Sequence, residues 1–284
     1  PDEVMHAMQR PMTDLADPRV AALIAACESG MRALLNSPKS DIFFYASNGH
    51  GVWEAASSNL GSDKHTLLIA GSGHFSDQWA IQTEGLGLSV LRTPHTEGQR
   101  INVDAIESAL RSDSTHKIAA VMVVHTDTAS GITSDLLAIR QAIDRAQHPA
   151  IYVVDVVASL AATSFDMDAL GVDVCLGSSQ KGLMMPPGLG FVAVNDKAFD
   201  WSHQHAKHRK RLSPSPAVPS VPSASAAPSA PVFSHFCRET PSMKMTAKKK
   251  CQLLADTIKA WAGISHSVGK FRELLTQLQA TGFK

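Results

Sequence analysis

"IAAVMVVHTDTASGITSDLLAIRQAIDRAQHPAIYVVD", residues 118–155, decides the fold. It opens on an apolar run, "IAAVMVVH" (118–125), crosses a helix-period segment, "TSDLLAIRQAIDRA", which Thr133 is expected to cap, and closes on a second apolar run, "AIYVVD" (150–155). Short apolar runs without alternation suit strands buried on both faces, and apolar residues at three- and four-residue spacing suit a helix between them. The same alternation continues outward in both directions. Upstream lie "DIFFYAS" (41–47), "HTLLIAG" (65–71) and "LSVLRT" (88–93); downstream lie "VDVCLG" (172–177) and "GFVAV" (190–194). Helix-period segments separate the upstream runs: "HGVWEAASSNL", "FSDQWAIQTEGLG" and "NVDAIESALRS", the last with Asn102 as its cap. A further amphipathic helix is predicted from Pro18 to Asn36, carried by Val20, Leu23, Ile24, Cys27, Met31, Leu34 and Leu35, with Asp17 as N-cap and Pro18 in the first turn. The pattern predicts an α/β fold, a mostly parallel sheet flanked by helices on both faces.

The 284 residues suffice for one sizeable core with an appendage. With 44% hydrophobic and 18% charged residues the composition is that of a soluble globular chain, and no apolar run reaches the length a membrane helix needs. "PDEVMHAMQR" shows no basic segment followed by an apolar one, so no secretory signal is expected, and a start without Met reads as a fragment or a trimmed chain. Cys27, Cys175, Cys237 and Cys251 lack CxxC spacing, which favours a reducing compartment over a disulfide framework. The net charge of zero conceals an asymmetry: residues 1–200 hold 13 Lys and Arg against 23 Asp and Glu, whereas residues 201–284 hold 13 against 3. "SPSPAVPSVPSASAAPSAP" (213–231) is expected to be an extended or disordered linker. The domain expectation is therefore a large domain over 1–201, N-terminally incomplete, then a basic and Ser/Pro/Ala-rich linker over 202–231 and a basic helical tail over 232–284, with no full second domain.

In sheets of this kind ligands bind beyond the carboxyl ends of the strands. Those ends hold Ser47, His74 and Phe75, Thr126 to Thr128, Asp155, and Ser178 to Lys181. Lys181 stands in "CLGSSQKGLMMPPGLGFVAV" (175–194) as one charge among Gly, Ser, Met, Pro and apolar residues. An amine becomes a nucleophile near neutral pH when desolvation or a nearby cation lowers its pKa, and apolar surroundings are expected to provide the first; the alternative is a strand-end lysine reaching solvent. Asp155 ends "IYVVD", where a carboxylate can pair with a protonated pyridine nitrogen or merely cap the next turn. "SNGHGVWEAA" (47–56) joins a strand end to a helix start and suits a phosphate, although no P-loop pattern is present and His50 could simply cap the helix.

A Schiff-base lysine, an acid for a ring nitrogen and an anion-binding helix start are the parts of a pyridoxal phosphate site. From Pro1 to about Trp201 the chain resembles the class V aminotransferases of fold type I, most closely the serine- and alanine-glyoxylate aminotransferases. The resemblance is carried by "SNGHGVWEAA", "GSGHFSDQW", "VVHTDTASGI", "VVDVVASL" and "GSSQKGLMMPPGLGF", in the family's order and spacing. It implies pyridoxal 5′-phosphate as cofactor and amino transfer from serine or alanine to glyoxylate, a step of glyoxylate metabolism and glycine biosynthesis, by a homodimer. Lys181 would form the Schiff base and move the proton between substrate and cofactor, and Asp155 would keep the ring nitrogen protonated. Phe75 would stack on the ring and Val157 pack against it. Thr128 would bond the ring hydroxyl, and Gln180 would reach the phosphate. Asn48, Gly49 and His50 would form the phosphate turn, with Asn48 where the family usually has Ser or Gly.

Beyond Trp201 the family's Tyr-and-Thr segment and its substrate-carboxylate arginine are not recognisable, Arg238 and Arg272 being the arginines after the linker. The tract reads as an altered frame or a substituted C-terminus, and a second expectation is a catalytically impaired remnant of the cofactor domain. A related class V lyase or desulfurase is disfavoured, because Phe75 replaces the stacking histidine and no mobile-loop cysteine matches. His203, His205 and His208 lack a carboxylate or cysteine companion, so a solvated loop and no metal are expected. The basic runs "KHRKR" and "AKKK" imply no specific nucleic acid, and no membrane partner is expected. "TGFK" is no SKL-type address, so cytoplasm is the default, with peroxisome or mitochondrion open through the resemblance.

Overall fold

The computed structural model describes residues 2–9, 14 and 17–205. The Ser/Pro/Ala tract, the tail, His208, Arg238, Arg272, Cys237 and Cys251 lie outside the described residues. After a short helix α1 (Asp2–Met8), α2 runs over Pro18–Leu35. Its start follows from Asp17, whose side chain accepts the Arg19 N–H, and from Pro18 in the first turn; Asn36, left-handed at φ 51°, ends it.

Among the described residues seven strands form the main sheet: β1 (Asp41–Tyr45), β2 (Thr66–Ile69), β3 (Ser89–Arg92), β4 (Ile118–Val124), β7 (Ile151–Asp155), β8 (Val174–Ser178) and β9 (Gly190–Val194). A two-stranded ladder, β5 (Thr126–Asp127) with β6 (Ile132–Thr133), follows β4. The order in the main sheet is β1-β9-β8-β7-β4-β2-β3. Four neighbouring pairs, β2 with β3, β2 with β4, β4 with β7 and β7 with β8, are parallel, while β9 runs antiparallel to both β8 and β1. The sheet is thus mostly parallel, as the alternation predicts.

Helices cover both faces because the central strands are apolar on both sides. Along β4, Ile118, Val121 and Val123 pack with α2, α5 (Val103–Ser112) and α6 (Leu136–Arg145), whereas Ala120, Met122 and Val124 pack with α3 (Gly49–Leu60), α4 (His74–Gly85) and α7 (Asp196–Gln204). All seven residues of β4 and all five of β7 are buried, each large side chain contributing about 1.5–3 kcal/mol relative to exposure. The cap of α6 differs from the expectation. Asp135, not Thr133, precedes the helix and accepts the Ala138 N–H at 3.0 Å. Thr133 is occupied in β6, where its hydroxyl meets that of Thr126 at 2.9 Å. Among the described residues no helix is long and apolar enough to cross a membrane.

Candidate active site

The parallel strands β4, β7 and β8 end on one side of the sheet, and the chain entering α3 and α4 reaches the same side. Between them lies a pocket of about 210 Å³ lined by Asn48, Gly49, His50, Trp53, Phe75, Val124, Thr126, Thr128, Asp155, Val157, Ala158, Gln180 and Lys181. All nine residues expected at the site from sequence border it. They come from positions spread over more than 130 residues of chain, which only the strand order brings together.

The floor is Asp155, the last residue of β7 and 3% exposed. Its Oδ1 accepts the Val157 N–H at 2.6 Å, and its Oδ2 accepts the Trp53 indole N–H at 2.6 Å. Burial disfavours the charged carboxylate and pushes its pKa up to about 6; the Val157 N–H and then the Trp53 N–H act against that rise.

The start of α3 meets the segment after β7. Asn48 caps the helix, its side chain accepting the His50 N–H at 3.0 Å. A helix start leaves its first N–H groups without intrahelical acceptors and carries partial positive charge, so it favours an anion. Gly49 backs onto Val157, where an added Cβ would stand 3.2 Å from Val157 Cγ2.

Phe75 is positioned by a residue the sequence reading did not single out. Asp127, 0% exposed, accepts the Phe75 N–H at 2.9 Å through Oδ2, and the Ala129 and Ser130 N–H groups at 2.9 and 3.2 Å through Oδ1. It therefore caps α4 from another strand end while shaping the turn that carries Thr128. Gly73, the residue before α4, has φ 137°, and an added Cβ would lie 3.0 Å from Asp127 Oδ2; a bare backbone there admits the carboxylate.

Lys181 follows β8 on a turn closed by Ser179, whose N–H donates to Leu189 O at 2.9 Å and whose hydroxyl donates to Pro186 O at 2.6 Å. Gly182 packs against the Leu160 carbonyl oxygen so closely that a Cβ would collide with it. The turn is thereby fixed against the segment after β7. Lys181 itself is exposed, which corrects the expectation of a desolvated amine. The Gly, Met and Pro residues around it form a loop in which Met184 is 53% exposed while Met185 is buried.

Beside Lys181, Gln180 has its Oε1 buried with no hydrogen-bond partner. Amide oxygen and nitrogen are interchangeable by rotation, so this side chain can offer either a donor or an acceptor to a bound group. Behind the pocket, His125 Nδ1 bonds Ser159 Oγ at 2.8 Å, and burial lowers the His125 pKa to about 4. His203 stands in the last turn of α7 and His205 caps it, its ring stacked on Trp201, and no group of three or more His, Cys, Asp or Glu suited to a metal occurs among the described residues.

Trp53 and Asp127 escaped the sequence reading. A signal existed for the first, since positions 49 and 53 share a helix face. Asp127 lay within the strand-end stretch Thr126 to Thr128, but its bond to Phe75, 52 residues away, left no signal.

Comparison with known proteins finds relatives of this chain. The aminotransferase class-V family model matches residues 5–205. The chain is 38% identical over 213 residues to the serine–glyoxylate aminotransferase of Methylorubrum extorquens, covering 75% of this chain and 53% of the relative. It is 36% identical over 202 residues to the L-aspartate–glyoxylate aminotransferase of Paracoccus denitrificans, covering 70% and 50%. Among solved structures it superposes on the alanine–glyoxylate aminotransferase of Nostoc sp. with TM-score 0.67 at 23% identity, over 75% of this chain and 54% of that one, a likeness of fold. The chain spans about half the length of the curated relatives it matches.

Proposed function

The chain belongs to the class V aminotransferase family, and from that membership we propose that it acts in a pyridoxal-phosphate-dependent transaminase that moves an amino group from serine or alanine to glyoxylate, as a homodimer. The observation that carries the proposal is the meeting of a buried carboxylate, Asp155, and an accessible amine, Lys181, at one pocket. The names of the similar proteins share glyoxylate and differ in the donor, being serine in one, L-aspartate in another and alanine in a third, which supports glyoxylate as acceptor.

The residues present fit the cofactor. The unpartnered Gln180 Oε1 awaits a polar neighbour, the bare Gly49 lets the helix start lie close against Val157 at the pocket, and the buried Asp155 suits a cationic nitrogen. When bound, pyridoxal phosphate supplies an aldehyde that condenses with amines and a protonated ring that draws electrons from the neighbouring carbon. Lys181 Nζ contributes the amine and carries a proton to and from the substrate α-carbon. Its exposed position leaves it free to alternate between these tasks. Asp155 holds a proton at the ring nitrogen by an attraction that burial strengthens. Phe75 and Val157 supply apolar wall and exclude water, while Thr128 and Gln180 offer hydrogen bonds at the edge. The helix start at Asn48, Gly49 and His50 receives the phosphate. The linker expected to begin at residue 202 is corrected at its start, since residues 202–204 belong to α7 and Ser202 is buried.

The test is direct. Purified chain is mixed with cofactor, L-alanine or L-serine, and glyoxylate, and glycine and the 2-oxo acid are assayed. Product formation that Lys181→Ala abolishes, together with the long-wavelength absorbance of the bound cofactor, supports the transaminase. Bound cofactor without product supports an impaired cofactor domain instead, and no cofactor spectrum with the native chain refutes both.

A further inference from the structure

The acid of the pocket is held by a side chain outside the expected site. Trp53, 3% exposed on α3, donates its indole N–H to Asp155 Oδ2 at 2.6 Å, across 102 residues of chain. A bond to an ionised acceptor is shorter and stronger than a neutral one. The indole has little freedom to leave it. One neighbour is Trp79, stacked at 5.4 Å between centroids with 10° between planes, and another is His50 at 4.7 Å and 55°. Phe75 meets it edge-on at 6.3 Å. Trp79 is pinned in turn, since its indole N–H donates to Ser57 Oγ at 3.2 Å and Ser57 Oγ bonds Thr83 Oγ1 at 3.1 Å, tying α3 to α4.

We propose that Trp53 is a positioning residue for the acid of this pocket: its fixed indole N–H anchors one oxygen of Asp155, so that the carboxylate keeps its charge and a single orientation toward the cofactor's ring nitrogen. This rests on the reading above that the pocket takes pyridoxal phosphate. The arrangement leaves room for that third donor. Each carboxylate oxygen has two acceptor sites, and the Val157 and Trp53 N–H groups take one on each. In a fully buried setting the indole opposes the desolvation that would otherwise neutralise the acid. The other titratable groups facing Asp155 are Lys181 and His50 at the pocket and Cys175 on β8, whose thiol is pushed up by burial and by the Asp155 charge. Just after β4, His125 contributes its backbone N–H to Asp155 O at 3.0 Å, its ring being engaged with Ser159.

Two measurements on the full chain test the inference. In cofactor-free protein labelled at the indole nitrogen, the Trp53 N–H resonance is followed against pH. It should shift with a midpoint near the Asp155 value of about 6, lose that inflection in Asp155→Asn, and keep it in His50→Asn. An inflection that survives Asp155→Asn, or disappears with His50→Asn alone, overturns the proposal, and this arm needs neither a Trp53 variant nor the cofactor. The second arm measures pyridoxal phosphate affinity against pH for Trp53→Phe. Loss of one hydrogen bond to a charge raises the Asp155 pKa by roughly one to two units, so binding should weaken roughly two- to tenfold near about pH 7 and recover to within about twofold near about pH 9. An equal deficit at every pH makes Trp53 a packing residue and overturns the positioning role. Failure of the native chain to bind the cofactor at any pH sinks the functional reading, and the cofactor half of this proposal with it, while the first arm still decides the indole–carboxylate contact.

Discussion

Replacing Asp127 by alanine should unlock the wall of the pocket. The carboxylate is wholly buried and accepts the N–H groups of Phe75, Ala129 and Ser130. Each hydrogen bond to a charged group is worth about 1.5–3 kcal/mol, and the negative charge at the start of α4 adds about 0.3–1 kcal/mol. Part of this is offset, because alanine also removes the desolvation cost of a buried charge and water can enter the space left behind. A net loss of roughly 3–5 kcal/mol follows, which in a domain of this size lowers Tm by roughly 6–20 °C at about 2–4 °C per kcal/mol. Asp127→Asn keeps an acceptor oxygen and should lose less than half as much. Thermal and urea unfolding by circular dichroism measure both, and cofactor affinity reports whether Phe75 has moved. A stability loss below about 1 kcal/mol for the alanine variant would show that the three N–H groups find other acceptors and that the carboxylate does not hold α4 in place.

Gly182→Ala forces a Cβ onto the Leu160 carbonyl, a backbone atom that cannot swing aside, so the turn bearing Lys181 must shift; a cofactor affinity equal to that of the native chain would contradict this. Two buried groups give opposite pH dependences. His125, lowered by burial to about 4, binds protons less readily folded than unfolded, so its contribution to stability falls as pH drops from about 6.5 toward 4. Asp155, raised to about 6, keeps its proton longer when folded, so its contribution falls as pH rises from 3.8 through 6. Between these limits the two trends oppose each other. Urea titrations should show His125→Asn losing stability as pH rises and Asp155→Asn losing it as pH falls, and parallel profiles for both variants would reject the assignment. Gly51→Ala places a Cβ 2.5 Å from Ser47 Cβ and should destabilise the turn into α3, by roughly 1–3 kcal/mol, detectable as a lowered urea midpoint.

Much of the architecture was legible because its signals are local. The apolar runs at 118–125 and 150–155 became β4 and β7, and Asp17 and Asn102 cap the helices they precede. Strand direction was not legible. "GFVAV" is apolar in either sense, and only the pairing of Val174 with Val194 and of Asp41 with Val194 shows that β9 runs against its neighbours. The short ladder at 126–127 and 132–133 and the helix α7 carry too few periodic residues to announce themselves. At the site, the strand-end rule brought Lys181, Asp155 and Phe75 together because parallel strands end on one side. Solvent exposure followed no such rule. An apolar neighbourhood in sequence suggested a dry lysine, yet Lys181 is exposed, and of the two methionines after it only Met185 turns into the core while Met184 is exposed. Partners supplied from distant elements, such as Trp53 to Asp155 and Asp127 to Phe75, leave no periodic trace.

The edge strand β1 has β9 as its partner, Asp41 lying opposite Val194. On a ribosome, therefore, this strand stays without its neighbour until some 150 residues more have been made, and closing so long a loop is slow. Meanwhile its backbone and the apolar Ile42 and Phe44 are available to any other strand nearby, so the interval before β9 arrives is when this polypeptide most needs a chaperone.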